Sequence, residues 1–181
     1  IDVTVDGLRV LGWIASLWES GQVRVHFSRL RGRQDLAAWI RHVFLNLARP
    51  HDGFSTIVVG RARSGSRVTA LRFAPLREAA AIASTLVSLY RAGRRAPLPF
   101  FPEASRCYAE AFAKSGDVAR ALVAARKAGD YPQGSGPNRF EAPEALLLFR
   151  GRSPEEPLDG AEPGPPFAAT ALAFFGPLLP E

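Results

Sequence analysis

The sequence predicts an α/β fold, a small twisted mixed sheet flanked by helices. Three observations carry that expectation. Short segments of strand character stand at residues 22–27, 55–60 and 66–73. A helical period takes over at 34–48. Beyond residue 75, helical segments dominate and are punctuated by proline and glycine.

The elements follow in order. Residues 3–18 are rich in Val, Leu, Ile and Trp, and 8–18 reads as the first arm of a hairpin. Glu19-Ser20-Gly21 is its turn. In the second arm Val23, Val25 and Phe27 alternate with Arg24 and His26, the pattern of a half-buried strand. Leu36, Ile40, Val43, Phe44 and Leu47 then form a helical stripe, which puts His42 on the solvent side. Pro50 stops that helix, and His51-Asp52-Gly53 is a turn. "STIVVG" and "SRVTALRF" form a second hairpin, closed by the basic loop "RARSGS".

Pro75 opens a helix over about 76–92, with Ala79, Ile82, Leu86, Leu89 and Tyr90 as its stripe and Gly93 as its end. The prolines of "RRAPLPFFP" forbid helix until Pro102, which starts another running to Lys114. Ser115-Gly116-Asp117 caps a further helix through Ala128, closed by Gly129 and Pro132. A loop at 133–138 and a short helix at 141–150 complete a body spanning 1–150. Residues 151–166 form a Pro/Gly/acidic linker, and 167–181 an apolar helix that packs back on the body.

Composition narrows the function classes. The chain of 181 residues is long enough to build a core without staples. Its single cysteine, Cys107, excludes an internal disulfide and a multi-thiolate zinc site, and fits a reducing, cytoplasmic setting. No run reaches the length of a membrane span and no signal peptide is visible. The chain has no methionine, which is read as the mark of a piece of a longer protein. Charge is uneven: residues 1–95 hold 15 arginines against 6 acids, whereas 96–181 hold 8 bases against 11 acids. A basic half suits a polyanion or an acidic partner; a soluble surface with compositional arginine bias serves equally.

Few motifs carry chemistry. His26, His42 and His51 show no metal-binding spacing. "GRARSGSR" lacks a Gly-Lys-Ser/Thr ending and a following helix, so it is a hairpin loop. Its Arg61, Arg63 and Arg67 are candidates for phosphate contact or for a solvated face. "RLRGR" concentrates Arg29, Arg31 and Arg33, with the same two readings. Cys107 lies mid-helix in "ASRCYAEAF", the setting of a structural thiol rather than a nucleophile. Trp13, Trp18 and Trp39 are open between core and base-stacking roles.

The stretch "LRVLGWIASLWESGQVRVHFSRLRGRQDLAAWIRHVFLN" resembles the C-terminal domain family of RecC, the gamma subunit of exodeoxyribonuclease V. It shares a Gly-Trp strand, a Gly turn and a helix with the W-x-x-H core Trp39-Ile40-Arg41-His42. "LYRAGRRAPLPFFPEASRCYAEAF" at 89–112 is the second match, and "ALVAARKAG" and "FFGPLLPE" extend the order over essentially the whole chain. The loop "RKAGDYPQGSGPNRF" departs from the family, with shifted aromatics and Asn138 in place of an acid.

The resemblance implies a degenerate fold similar to the PD-(D/E)XK, restriction-endonuclease-like group. Such a frame holds a divalent metal on two carboxylates and orients water with a lysine. Here Ala15 falls where the first Asp belongs, and His26 and Ser28 fall where Asp/Glu-x-Lys belongs. Glu19, Asp2 and Asp6 show no convergence toward these positions. The resemblance therefore implies no catalytic residue, no metal and no cofactor. It implies RecB-type and RecD-type subunits as partners, with duplex ends and single strands of DNA, and no membrane. The expected role is subunit assembly, duplex splitting and strand guidance in double-strand-break repair. A metal-dependent nuclease with migrated ligands, and an interaction module that never touches DNA, stay open beside it.

Overall fold

The computed structural model describes residues 1–63, 65–129, 147, 158 and 166–179. The loop expected at 133–138 lies outside the described residues. So do the helix expected at 141–150 apart from Leu147, and the linker expected at 151–166 apart from Leu158 and Pro166. The chain forms two compact units, Ile1–Ser88 and Leu89–Glu181.

The first unit is mixed α/β. Strands β1 (Asp2–Val5) and β2 (Leu8–Leu11) form a separate antiparallel hairpin. Asp6 and Gly7 connect them with φ of 48° and 74°, the left-handed pair that a two-residue hairpin requires. Strand character then lapses until β3 (Leu17–Trp18), which adds only two residues to β4 (Gly21–Arg29). The continuous strand expected over 8–18 is thus interrupted. The Asp-Gly turn already reverses the chain at 6–7, so β2 pairs back on β1, and Ser16 sits at φ 58° just before β3.

Helix α1 (Gly32–Ala48) carries the chain from β4 to β5 (Ser55–Arg61), which runs parallel to β4. β6 (Val68–Phe73) pairs antiparallel with β5, and the sheet order is β3-β4-β5-β6. A parallel pair needs such a crossover, and α1 supplies it. The buried side of α1 includes Asp35, Ala38, Trp39, His42, Val43 and Asn46; of the expected stripe only Val43 is fully buried, and Leu36, Ile40, Phe44 and Leu47 are half-buried. His42 is therefore fully buried, not on the solvent side. The stripe residues Ile40 and Phe44, with Val10, Trp13 and Ile14, line a groove between α1 and the segment of the first hairpin.

Helix α2 (Ala79–Arg95) begins four residues after Pro75 and runs through Gly93. It ends where Pro97 has no N–H to continue the ladder, the last bond being from Ala96 to the Ala92 carbonyl at 3.0 Å. Tyr90, placed in its buried stripe by spacing, is exposed.

In the second unit α3 (Pro102–Ser115) packs against α4 (Val118–Gly129) and α5 (Phe167–Phe175). Gly116 ends α3 at φ 64°, and Asp117 Oδ1 accepts the N–H groups of Ala119 and Arg120 at 2.8 and 3.2 Å. Phe101, Tyr108, Ala121, Ala125, Phe167 and Ala171 form the core. The Tyr108 and Phe167 rings meet edge to face at 5.6 Å.

Candidate functional site

Strand β4 carries His26, Ser28 and Arg29. It pairs with β5 in regular register from Gly21↔Ser55 to Val25↔Val59, and the next pair is Arg29↔Arg61. Residues 26–28 therefore bulge opposite Gly60. A Cβ on Gly60 would lie 2.6 Å from Leu30 Cδ2 and 3.2 Å from the Ser28 carbonyl, so a bare backbone lets the bulge close on β5. His26 is half-buried there and Ser28 is exposed. The simple alternation that puts residues 26 and 28 on one face does not hold across a bulge.

Ala15 lies elsewhere. It is exposed, and its carbonyl accepts Gln22 Nε2 at 2.8 Å. The Ser16 carbonyl next to it accepts the Val23 N–H at 3.1 Å, so this segment runs beside the first residues of β4. His26 and Ser28 both lie at the bulge, while the contacts of Ala15 and its neighbour Ser16 are with Gln22 and Val23.

The neighbouring acids are engaged. Asp2 takes both Nε and Nη2 of Arg9, at 2.9 and 2.6 Å, and the guanidinium holds its carboxyl below the usual carboxylate range. Asp6 accepts the Ser84 hydroxyl at 2.6 Å. Asp35, buried at the start of α1, accepts Arg63 Nη2 at 3.0 Å. Glu19 is exposed at the β3–β4 turn. Among the described residues no three His, Cys, Asp or Glu side chains come together as a metal site.

The arginines gather at one end of the sheet. Arg29 and Arg61 are register partners, Arg31 and Arg33 stand at the start of α1, and Arg63 and Arg67 flank the β5–β6 loop. Their duties differ. Arg29 Nη1 donates to the Ala62 and Arg63 carbonyls at 3.4 and 2.8 Å, and Arg63 holds Asp35, so these two build the loop. Arg33, Arg61 and Arg67 are exposed and Arg31 is half-buried. Of the tryptophans, Trp39 is core, with its ring edge to face on Phe73 at 5.2 Å, whereas Trp13 and Trp18 are exposed.

A buried polar cluster lies behind the sheet. His42 Nε2 donates to the Ala74 carbonyl at 2.9 Å, which leaves Nδ1 to accept the Thr56 hydroxyl at 3.0 Å. Asn46 donates to the His42 carbonyl at 3.0 Å and accepts the Leu76 N–H at 3.2 Å. Burial lowers the His42 pKa. A search for apolar stripes passes over such a cluster. Its signal in the sequence is the set Asp35, Trp39, His42 and Asn46, spaced three or four apart.

The RecC C-terminal domain family matches residues 1–113, more than half of the chain and the whole of the sheet with α1 to α2. The chain belongs to the RecC C-terminal domain family. It is 33% identical over 112 residues to the RecBCD enzyme subunit RecC of two Mycobacterium tuberculosis strains, CDC 1551 / Oshkosh and H37Rv. It is 29% identical over 113 residues to the RecC subunit of Mycolicibacterium smegmatis. Each match covers 61% of this chain and 10% of the relative, so the chain spans about a tenth of the RecC subunits it matches. The later segments that resemble RecC, 121–129 and the terminal "FFGPLLPE", lie beyond the family's matched residues. No helix among the described residues is long and apolar enough to cross a membrane.

Proposed function

We propose that this RecC-type domain is a non-catalytic part of a cytoplasmic RecBCD-type helicase–nuclease, working with RecB-type and RecD-type subunits in double-strand-break repair. It contributes to subunit assembly, to splitting the duplex and to guiding the separated strands. The observation that carries this reading is membership of the RecC family over residues 1–113. Chemistry at the candidate positions supports the lack of catalysis. Ala15, His26 and Ser28 offer a methyl, an imidazole and a hydroxyl where a PD-(D/E)XK-like frame uses two carboxylates and a lysine. Arg31, Arg33 and Arg67 supply a basic end suited to backbone phosphates, while Arg29 and Arg63 hold the loop that presents Arg67.

The test uses the complete RecC-type subunit that contains this domain. With Mg²⁺ or Mn²⁺ it is expected to leave DNA uncut; cleavage that survives repurification would establish the migrated-ligand nuclease instead. DNA-end binding is expected to weaken in R31E/R33E/R67E, with the salt slope falling by about 0.9 for each phosphate no longer neutralised. Unchanged affinity and slope would take the basic end out of the DNA path.

A further inference from the structure

The apolar row of β4 faces away from the core. Gln22 is buried and Arg24 half-buried on the side of α1, where Arg24 pairs with buried Val58. Val23 and Val25 project from the opposite face, beside their register partners Ile57 and Val59. β3 and β6 extend that face: Trp18 stands opposite Gly21, Val68 opposite Arg61, and Ala70 opposite Val59. Trp18 is 67% exposed, Val25 64%, Val68 73%, and Phe27 at the bulge 94%. A contiguous apolar sheet face of this kind marks an interaction surface. Register also puts Arg61 and Arg72 on this face, both exposed, with no acid paired to either among the described residues.

We infer that this face docks a partner subunit, a separate polypeptide presenting an apolar patch with carboxylates opposite Arg61 and Arg72. The inference rests on the proposed membership of a multisubunit assembly. An apolar centre with arginines at its margin is the anatomy of an interface between proteins, whereas an arginine seldom enters a core. A second copy of this chain would set arginines against arginines, which disfavours self-association. Single-stranded nucleic acid wants a row of planar rings, and the centre here is Val23, Val25, Ile57 and Val59.

The test places a benzophenone-bearing phenylalanine at position 25 or 27 of the complete RecC-type subunit, co-expressed with its RecB-type and RecD-type partners. Both sites are solvent-facing, so folding is expected to persist, as checked by circular dichroism. Irradiation is expected to join them to one partner subunit within a segment holding Asp or Glu. R61E/R72E is expected to weaken that subunit's binding at least tenfold, and reversing the mapped carboxylate to Lys is expected to restore it. Joining to DNA alone, to a second copy or within the same subunit overturns the inference, as does a formed complex with no crosslink. Failure of the unmodified subunits to copurify overturns the assembly reading itself, and with it this partner.

Discussion

His42 on α1 and Thr56 on β5 are joined by a 3.0 Å hydrogen bond from the threonine hydroxyl to the imidazole Nδ1, at the centre of the helix–sheet interface. The Ala74 carbonyl holds the proton on Nε2, so the neutral ring makes both contacts at once. Protonating Nδ1 would replace an acceptor with a donor and bury a charge. Burial accordingly lowers the His42 pKa from its ordinary 6.5. Below that value the unfolded chain binds protons that the folded chain refuses, so stability falls as pH drops through 6.5 toward the lower folded value. Urea unfolding between about pH 7.5 and 5 is expected to show this loss. T56V removes the hydroxyl donor and is expected to cost about 1–2 kcal/mol at neutral pH.

Gly21 opens β4 at φ 143°, and a Cβ there would lie 1.9 Å from the Ser55 carbonyl oxygen on β5. The obstruction is backbone, which cannot swing aside as a side chain would. G21A is expected to destabilise the first unit by about 3 kcal/mol or more, with the loss of protection in hydrogen exchange greatest at Gln22, Val23, Ser55 and Thr56. G53A, with open space around its Cβ and φ 61°, is expected to cost only about 1 kcal/mol.

Arg63 holds the buried Asp35 carboxylate from the β5–β6 loop, and its own side chain is about half exposed. R63A withdraws the cation from a buried anion, at an expected cost of about 1–2 kcal/mol after allowing for solvent access. R67A, at the other end of the same loop, is expected to change stability by less than about 0.5 kcal/mol. Thermal melts of the two variants separate a structural arginine from a surface one, and a matched loss in both would refute the distinction.

Asp117 caps α4 through two backbone N–H groups. D117A is expected to cost about 1 kcal/mol. D117N keeps the acceptor oxygen and is expected to recover most of that loss, as read from denaturation midpoints.

Much of the local structure is legible in the residues. Period, proline and glycine locate α1, α3, α4, β5 and β6 because each obeys a local rule: a missing N–H, a left-handed cap, an alternating row. In the first hairpin two local signals compete. Asp6-Gly7 is a strong hairpin signal, yet the apolar richness of residues 3–18 suggests a strand running on to residue 18. His42 is misplaced by spacing for a different reason. Hydrophobicity favours the face of α1 holding Ile40 and Phe44, while packing against the sheet selects the face holding Trp39, His42 and Asn46, whose polar atoms find partners from β5 and the residues after β6.

By itself the sequence determined the mixed α/β class, the order of most elements and the resemblance to the RecC family, because these rest on spacing within one segment. Only the tertiary structure decided the bulge at 26–28, the seating of Ala15 against Gln22, and the loop contacts of Arg29 and Arg63. Those depend on which strand lies beside β4 and in what register. Alternation could say that Val23, Val25 and Phe27 share a character; it could not say which side of the sheet α1 would cover. The helix took the side of Gln22 and Arg24, and the apolar row was left facing out.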